Sequence, residues 1–375
     1  MEHVKLGDIA TYINGYPFKP EDRGSEGLPI IRIQDLTGNS YDLGFYSGEY
    51  PERIEINDGD VLISWSGSLG VYLWNKGKAL LNQHIFKVVF DKIEIDKKYF
   101  IYVIQHSLRA MEAKTHGATM KHITKKDFDS MLVPYPNLQR QQEIARILGC
   151  VESVISKRKQ QLAELDNLIK ARFVEMFGDP ANNPLSWTTN SLSRLLLIER
   201  GGSPRPIDAY ITDSNDGVNW IKIGDAKPGS IYITRTKQKI KSEGSKKSRY
   251  VKPGDFILSN SMSFGRPYIM KIDGYIHDGW LLLRDEKGLF NNLFLHTMLS
   301  LDYTYNCFKS MAEGGVVNNL NKDLVGKLVV YIPPIDLQNQ FASFVEQIDK
   351  SKVVVQKALE EAQLLFDSLM QEYFG

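Results

Sequence analysis

Serines and histidines recur in this chain at spacings that could carry nucleophilic chemistry. Ser64, Ser66 and Ser68 alternate within GDVLISWSGSLG, Gly59 to Gly70, and Ser259, Ser261 and Ser263 alternate within GDFILSNSMSFG, Gly254 to Gly265. A serine nucleophile needs a base and a group that orients the base. Neither copy carries a matching His and Asp, so the serines read as donors to backbone or to phosphate. His84 and His277 fall at places that read as equivalent, offset by 193, and each is expected to be hydrogen-bonded within its own domain at the start of a buried strand. No GxxxxGK[ST], GxGxxG or HExxH occurs, and nothing resembles an Asn/Asp-Pro-Pro-Tyr/Phe pocket; Asn183-Pro184-Leu185 reads as linker. Cys150 and Cys307 have no partner at metal-ligand spacing and no disulfide framework, so buried reduced thiols and no metal are expected. These residues imply neither catalysis nor a bound cofactor.

Cations interleaved with glycines offer different chemistry. Arg235, Lys237, Lys239, Lys241, Lys246, Lys247 and Arg249 crowd one segment, and the alternation of Lys237, Lys239 and Lys241 predicts three ammonium groups on one face of a strand. Such a face neutralises phosphates without reading sequence; the plainer alternative is a solvated edge strand blunted by lysines. Two glycine-bearing loops, Asn14-Gly15-Tyr16-Pro17-Phe18-Lys19 and Gly201-Gly202-Ser203-Pro204-Arg205-Pro206, let backbone approach a ligand closely and offer Lys19, Ser203 and Arg205 to phosphates or guanine edges. Trp65, Ser66, Gln83, Lys121, His122, Asn260, Asn318 and Asn319 lie at other element ends within reach of the same role.

The elements that must position these residues are written twice. GLPIIRIQDL from Gly27 returns as GVNWIKIGDA from Gly217, and the Gly-Asp-serine segment returns 195 residues on. Lys126-Asp127-Phe128 answers Lys322-Asp323-Leu324, Leu138-Gln139-Arg140-Gln141 answers Leu337-Gln338-Asn339-Gln340, and Met176-Phe177-Gly178 answers Tyr373-Phe374-Gly375. Each repeat is a long mixed segment followed by a long helix. Pro29 to Ile33, Asp60 to Ser64 and His84 to Phe90 are predicted strands, with Tyr99 to His116 a helix ending at Gly117. The second copy predicts strands at Trp220 to Ile223, Asp255 to Ser259 and Trp280 to Leu283, then one helix from Asn292 to Glu313. Strands followed by a helix, without regular alternation, predict an α+β class.

The helices carry a heptad seam. Ile144, Leu148, Val151, Ile155, Arg158, Leu162, Leu165, Ile169, Arg172 and Met176 follow a 4,3 alternation, and so do Phe341, Val345, Ile348, Lys352, Val355, Leu359, Ala362, Phe366, Leu369 and Tyr373. That period predicts two helices that pair with each other as an antiparallel coiled coil, each about 60 Å long at 1.5 Å per residue. The alternative is two amphipathic helices folded onto their own domains. Arg158, Arg172 and Lys352 are seam positions whose aliphatic stems can snorkel to the edge. The resulting organisation is a first domain at 1–136, a helix at 137–185, a second domain at 186–334 and a helix at 335–375.

Bulk properties fit a globular protein of two domains: 375 residues, 42% hydrophobic and 24% charged. No apolar run reaches a membrane span and the first residues lack a signal peptide, so a cytoplasmic location with no membrane contact is expected. The net charge of +1 conceals a gradient: residues 1–135 carry −2, 136–185 carry +1, 186–332 carry +6 and 333–375 carry −4. That gradient permits a polyanion at one surface and a protein contact at another.

On the GYPFKPEDRG and GGSPRP loops, the repeated GDxLxSxSxSxG segment, the Pro134-Tyr135-Pro136 and Pro333-Pro334 entries into LQxQ, and the long helices, the chain resembles the specificity subunit of a Type I restriction-modification system. The resemblance covers nearly its whole length. It implies that each mixed segment is a target-recognition domain reading one half of a bipartite, asymmetric double-stranded DNA site. The helices would space the halves and dock two modification subunits that methylate adenine at N6, with restriction subunits joining the full complex. Base-reading residues of that family vary with the site read, so none is carried over. Two rival readings are the specificity part of a Type IIB-like restriction-methylation enzyme and a cytosolic coiled-coil adaptor that binds protein.

Overall fold

The structure, a computed structural model, describes residues 2–39, 42–114, 124–227, 229–260, 265–312 and 319–375. The chain folds into two compact units, Met1–Lys159 with Lys357–Gly375, and Gln160–Gln356. Each is a mixed α+β body. Among the described residues no helix is long and apolar enough to cross a membrane.

In the first unit a four-stranded antiparallel sheet runs in the order Thr11–Asn14, Ile85–Val89, Val61–Ser64, Gly70–Leu73. A second sheet runs Phe45–Tyr46, Leu28–Ile31, Ala79–Leu81, Glu55–Ile56, with its central pair parallel. The second unit repeats both with one added strand each: Leu197–Arg200, Trp280–Arg284, Phe256–Ser259, Pro267–Met270, Tyr232–Ile233, and Ile211–Thr212, Gln238–Ile240, Val218–Ile221, Gly274–Ile276, Arg249–Val251. A short antiparallel pair closes each copy, His3–Lys5 with Leu132–Pro134 and Thr189–Ser191 with Val329–Tyr331.

The repeated Gly-Asp-serine segment is a folding device. Gly59 and Gly254 take φ of 90° and 93°, a left-handed turn that glycine adopts without steric cost. The following Asp accepts the backbone N–H three residues back, from Asn57 to Asp60 and from Lys252 to Asp255, at 2.8 Å in both copies. Arg284 then grips Asp255 through two N–H donors at 2.6 and 2.8 Å. Ser64 and Ser259 are fully buried. Ser64 Oγ donates to Ser68 O at 2.6 Å and Ser259 Oγ accepts from Arg266 N at 3.0 Å, so both close a hairpin and neither is available as a nucleophile. Ser261 and Ser263 lie outside the described residues.

The two long helices span Leu138–Phe177 and Ile335–Phe374. They pair antiparallel. In the first unit the opening half of the central helix packs Ile144, Leu148 and Ile155 into one core with Phe366, Met370 and Phe374 of the closing helix. In the second unit Phe173 and Phe177 share a core with Phe341, Ala342 and Val345. Val151, Leu359 and Leu369 pack against the first of these cores and Ile169 against the second. Leu162, Leu165 and Ile348 are half-buried, and Val355 is buried. At the helix ends burial shifts one position off the 4,3 seam, from Arg172 and Met176 to Phe173 and Phe177. The reason is the partner: the ends meet globular cores, where a broader apolar face is buried than in a two-helix seam. Lys352 stays in the seam by pairing with Asp166 at 2.7 Å.

The repeated LQxQ is also structural. Gln141 and Gln338 are buried; Gln141 accepts from Asp96 N and donates to Pro136 O at 2.9 and 2.8 Å, and Gln338 accepts from Asn291 N and donates to Pro333 O at 2.8 and 2.9 Å. Each therefore ties the start of a long helix to the start of a domain helix.

Four expectations need correction. The two thiols are not buried: Cys150, which falls between the seam positions Leu148 and Val151, is exposed, and Cys307 is half-buried. The strand predicted at Pro29 to Ile33 is Leu28–Ile31, because Asp35 caps the Arg32 N–H at 2.8 Å and turns the chain into a helix; Lys222 and Asp225 end the equivalent strand at Ile221 in the same way. The helix predicted from Asn292 to Glu313 is two helices, Asn292–Ser300 and Asp302–Ala312. Buried Leu301 is extended between them, and Met298 O, at the end of the first helix, accepts both the Leu301 N–H at 3.4 Å and the Thr304 hydroxyl at 2.7 Å. Finally, only Gln238–Ile240 of the alternating Lys237–Lys241 stretch is strand, and it is paired on both sides, so Lys239 flanks neighbours in place of an open edge and Lys237 and Lys241 lie beyond the strand ends.

Candidate nucleic-acid interface

In the second unit three loops converge. Gly201 N–H donates to Trp280 O at 2.9 Å and Gly202 N–H to Ile276 O at 3.1 Å, pinning the Gly201–Pro206 loop to the strand that ends at Ile276 and the one that begins at Trp280. A Cβ at Gly201 would meet His277 O at 2.2 Å, and one at Gly202 would meet Lys247 O at 2.2 Å, so both must be glycine for backbones to pass this closely. Lys246–Arg249 is held to the same place by the Ser248 hydroxyl, which donates to Ile276 O at 2.7 Å. Lys241 joins through its backbone N–H to Tyr210 O at 2.8 Å and its ammonium to Ala209 O at 3.0 Å.

The hub is Asp278. Its Oδ1 accepts from Ser203 Oγ at 2.8 Å and lies 2.9 Å from His277 Nε2, while Oδ2 is 3.7 Å from Arg205 Nη2. Its carbonyl accepts from Asn260 Nδ2 at 2.8 Å and Arg200 Nε at 3.3 Å. Partial burial pushes the Asp278 carboxyl up, but Ser203, His277 and Arg205 together hold it below the usual carboxylate range. Burial pushes the His277 ring below its ordinary value despite Asp278, with Lys222 and Arg205 adding to the fall. A neutral ring fits the geometry: Nδ1 accepts from Gly279 N–H at 2.9 Å, leaving the proton on Nε2 for Asp278.

The first unit builds the same frame with other side chains. Gly15 N–H donates to Ile85 O at 3.0 Å and Tyr16 N–H to Leu81 O at 2.8 Å, and a Cβ at Gly15 would meet Asn82 O at 2.0 Å. These bonds equate Ile85 with Trp280, Asn82 with His277 and Gln83 with Asp278. The expected equivalence of His84 and His277 is therefore wrong by two residues, since the loop between paired strands sets the register and the histidines only happen to fall nearby. Lys19 occupies the place of Arg205, exposed and 3.9 Å from Glu21. Trp65 donates from Nε1 to Asn14 Oδ1 at 3.2 Å and stacks on Phe86, with centroids 5.5 Å apart.

Of the residues singled out from sequence, Ser203, Arg205, Lys241, Lys246, Lys247 and Arg249 share one neighbourhood. Arg249 pairs with Glu199 at 3.1 Å. Lys237 is exposed beside Asp225, which accepts its N–H at 3.1 Å, and Arg235 is exposed near it in sequence. Asn260 is 3% exposed, so it supports the loop from beneath and does not face outward. Ser66 is half-buried, Gln83 and Asn319 are exposed, and Lys121, His122 and Asn318 lie outside the described residues. Sequence reasoning missed Asp278 as the hub; the available signal was the Gln83–Asp278 offset of 195, the same as that of the Gly-Asp-serine segment.

A family model described as the Type I restriction modification DNA specificity domain matches residues 1–167 and again 185–363. The EcoBI specificity subunit of a Type I restriction enzyme from Escherichia coli is 23% identical, the match spanning 99% of this chain and 85% of that protein. The MjaVIII specificity subunit from Methanocaldococcus jannaschii is 22% identical over 96% of this chain and 88% of its own length. Among solved structures, the Type I system S subunit from M. genitalium aligns with a TM-score of 0.55 at 16% identity, covering 100% of this chain and 96% of that one. A chain from a structure on complex assembly and conformational transition of the type I R-M system aligns with a TM-score of 0.59 at 16% identity, covering 99% and 97%.

Proposed function

Since the chain belongs to the Type I restriction modification DNA specificity domain family, we propose that it reads a bipartite, asymmetric DNA site, one half with each mixed segment, and performs no chemistry itself. The observation that carries this reading is one backbone frame built twice and furnished differently. The clamp at Gly15 presents Lys19 and Gln83, and the clamp at Gly201 presents Arg205 and Asp278. Equal frames with unequal side chains suit two different half-sites. On this reading, segments 1–136 and 186–334 are the target-recognition domains, and segments 137–185 and 335–375 are the helices that space them.

Charge distributes the work unevenly. Between its equivalent strands the first unit carries Glu49, Glu52 and Arg53, where the second carries Lys241, Glu243, Lys246 and Lys247. The second unit thus supplies phosphate contacts of its own, while the first leaves room for modification subunits to supply them. Docking of those adenine-N6 methyltransferase subunits is supported by apolar side chains left in solvent on the helices: Val353 and Val354 at 69%, Leu364 at 73% and Leu365 at 50% exposed. Restriction subunits would complete the assembly.

Binding of the full chain with its modification partner to a randomised duplex library tests the proposal. One two-part sequence should be enriched and bound at least about 1,000-fold more tightly than bulk DNA, with affinity falling steeply as salt rises. Equal affinity for all sequences would contradict it.

A further inference from the structure

We propose that Arg205 reads a guanine in the half-site of the second unit and that Asp278 is the positioning residue that aims it; this rests on the DNA-reading function proposed above. Arg205 sits on a loop whose course is fixed by two backbone bonds and two obligatory glycines. Its side chain is 82% exposed, and among the described residues its partner is the Asp278 carboxylate. That carboxylate is built before any ligand arrives. Ser203 and His277 hold one oxygen, Asn260 and Arg200 hold the carbonyl of the same residue, and the second oxygen faces the guanidinium.

The acid decides between two uses of an arginine. A phosphate contact needs only positive charge, which exposed Lys246 and Lys247 already offer beside the loop. A carboxylate 3.7 Å from the guanidinium offsets its charge and repels phosphate oxygens. What survives is the direction of a planar fork, and that matches the O6 and N7 acceptors of guanine in the major groove. The first unit has Lys19, which has no fork, and Gln83, which has no charge, at the equivalent places. Guanine reading by this device is therefore confined to one half-site.

The test measures base preference position by position, using the full chain with its modification partner and a duplex library randomised across both half-sites at two salt concentrations. Arg205→Ala and Arg205→Lys should each flatten the preference for guanine at one position by roughly 5- to 150-fold, the range of one bidentate contact. The other half-site should be unchanged. Asp278→Asn should soften the same position by a smaller factor, and Asp278→Glu should recover part of it, which a merely structural role would not produce. Lys246→Ala should weaken all sequences alike and lower the salt slope by about one. Uniform weakening by Arg205→Ala, or a position left as sharp as in the parent by both Asp278 variants, would overturn the assignment. A parent protein with no preference anywhere would overturn the DNA-reading proposal itself, and the assignment with it.

Discussion

His296 is held neutral by the fold. It lines a cavity of about 270 Å³ in the second unit with Asp166, Asp349, Lys352 and apolar neighbours including Ile169 and Val345. Burial lowers its pKa to about 4, opposed by a hydrogen bond to the Pro267 backbone and aided by Lys352. The unfolded chain binds a proton near pH 6.5, so this residue's contribution to stability is present above that value and is lost as pH falls towards 4, on the order of 3 kcal/mol in all. His296→Gln should flatten the acid side of the stability curve measured by urea unfolding between pH 4 and 7; a parallel curve would contradict this account. Asp349, in the same cavity, is shifted the other way: burial raises its pKa, with Asp166 and Glu346 adding and Lys352 opposing. Its protonated form is the better fit, so its contribution is lost as pH rises through the raised value. None of this was legible in the sequence. His296 is one residue in an apolar helix, and only the fold brings the central and closing helices over it.

The long helices were the most legible elements, because a 4,3 repeat kept over ten positions leaves few other structures open. Their ends were less so. Phe173 and Phe177 carry no seam signal, yet both are fully buried, Phe177 packing 4.7 Å from Phe294 and 5.5 Å from Phe341 between ring centroids. Removing that ring should cost about 3–5 kcal/mol. Phe177→Ala should therefore speed hydrogen exchange in the sheet strands Phe256–Ser259 and Trp280–Arg284 of the second unit, and Phe374→Ala should do so in Val61–Ser64 and Ile85–Val89 of the first. Faster exchange confined to the mutated helix would show that the ends only fray. The short strands were half legible: their centres follow from Ile and Val runs, whereas their ends are set by capping carboxylates, Asp35 and Asp225, whose effect depends on backbone geometry. The break at Leu301 had no sequence signal, since Ser300-Leu301-Asp302 reads as helix as readily as loop.

For the molecule as a whole, duplication is the organising fact. It was readable from the repeated Gly-Asp-serine segment and from LQxQ, both of which prove to be fold-determining. The candidate interface was readable only in its cations and glycines, because residues that fold both copies stay alike while those that face a ligand diverge, and divergence hides equivalence. Backbone hydrogen bonds aligned Gln83 with Asp278, a pairing whose one signal in the sequence was the offset of 195. The central claim, that paired helices set the distance between two DNA-reading domains, is tested most directly by mapping N6-methyladenine across a genome expressing the chain with its modification partner, in parallel with a variant carrying one added heptad in each long helix. The parent should mark a single two-part motif with a fixed spacer, and the variant the same two parts with the spacer longer by up to about 3 base pairs, since seven residues add about 10 Å. The same spacer in both, or methylation that does not depend on the chain, would contradict it.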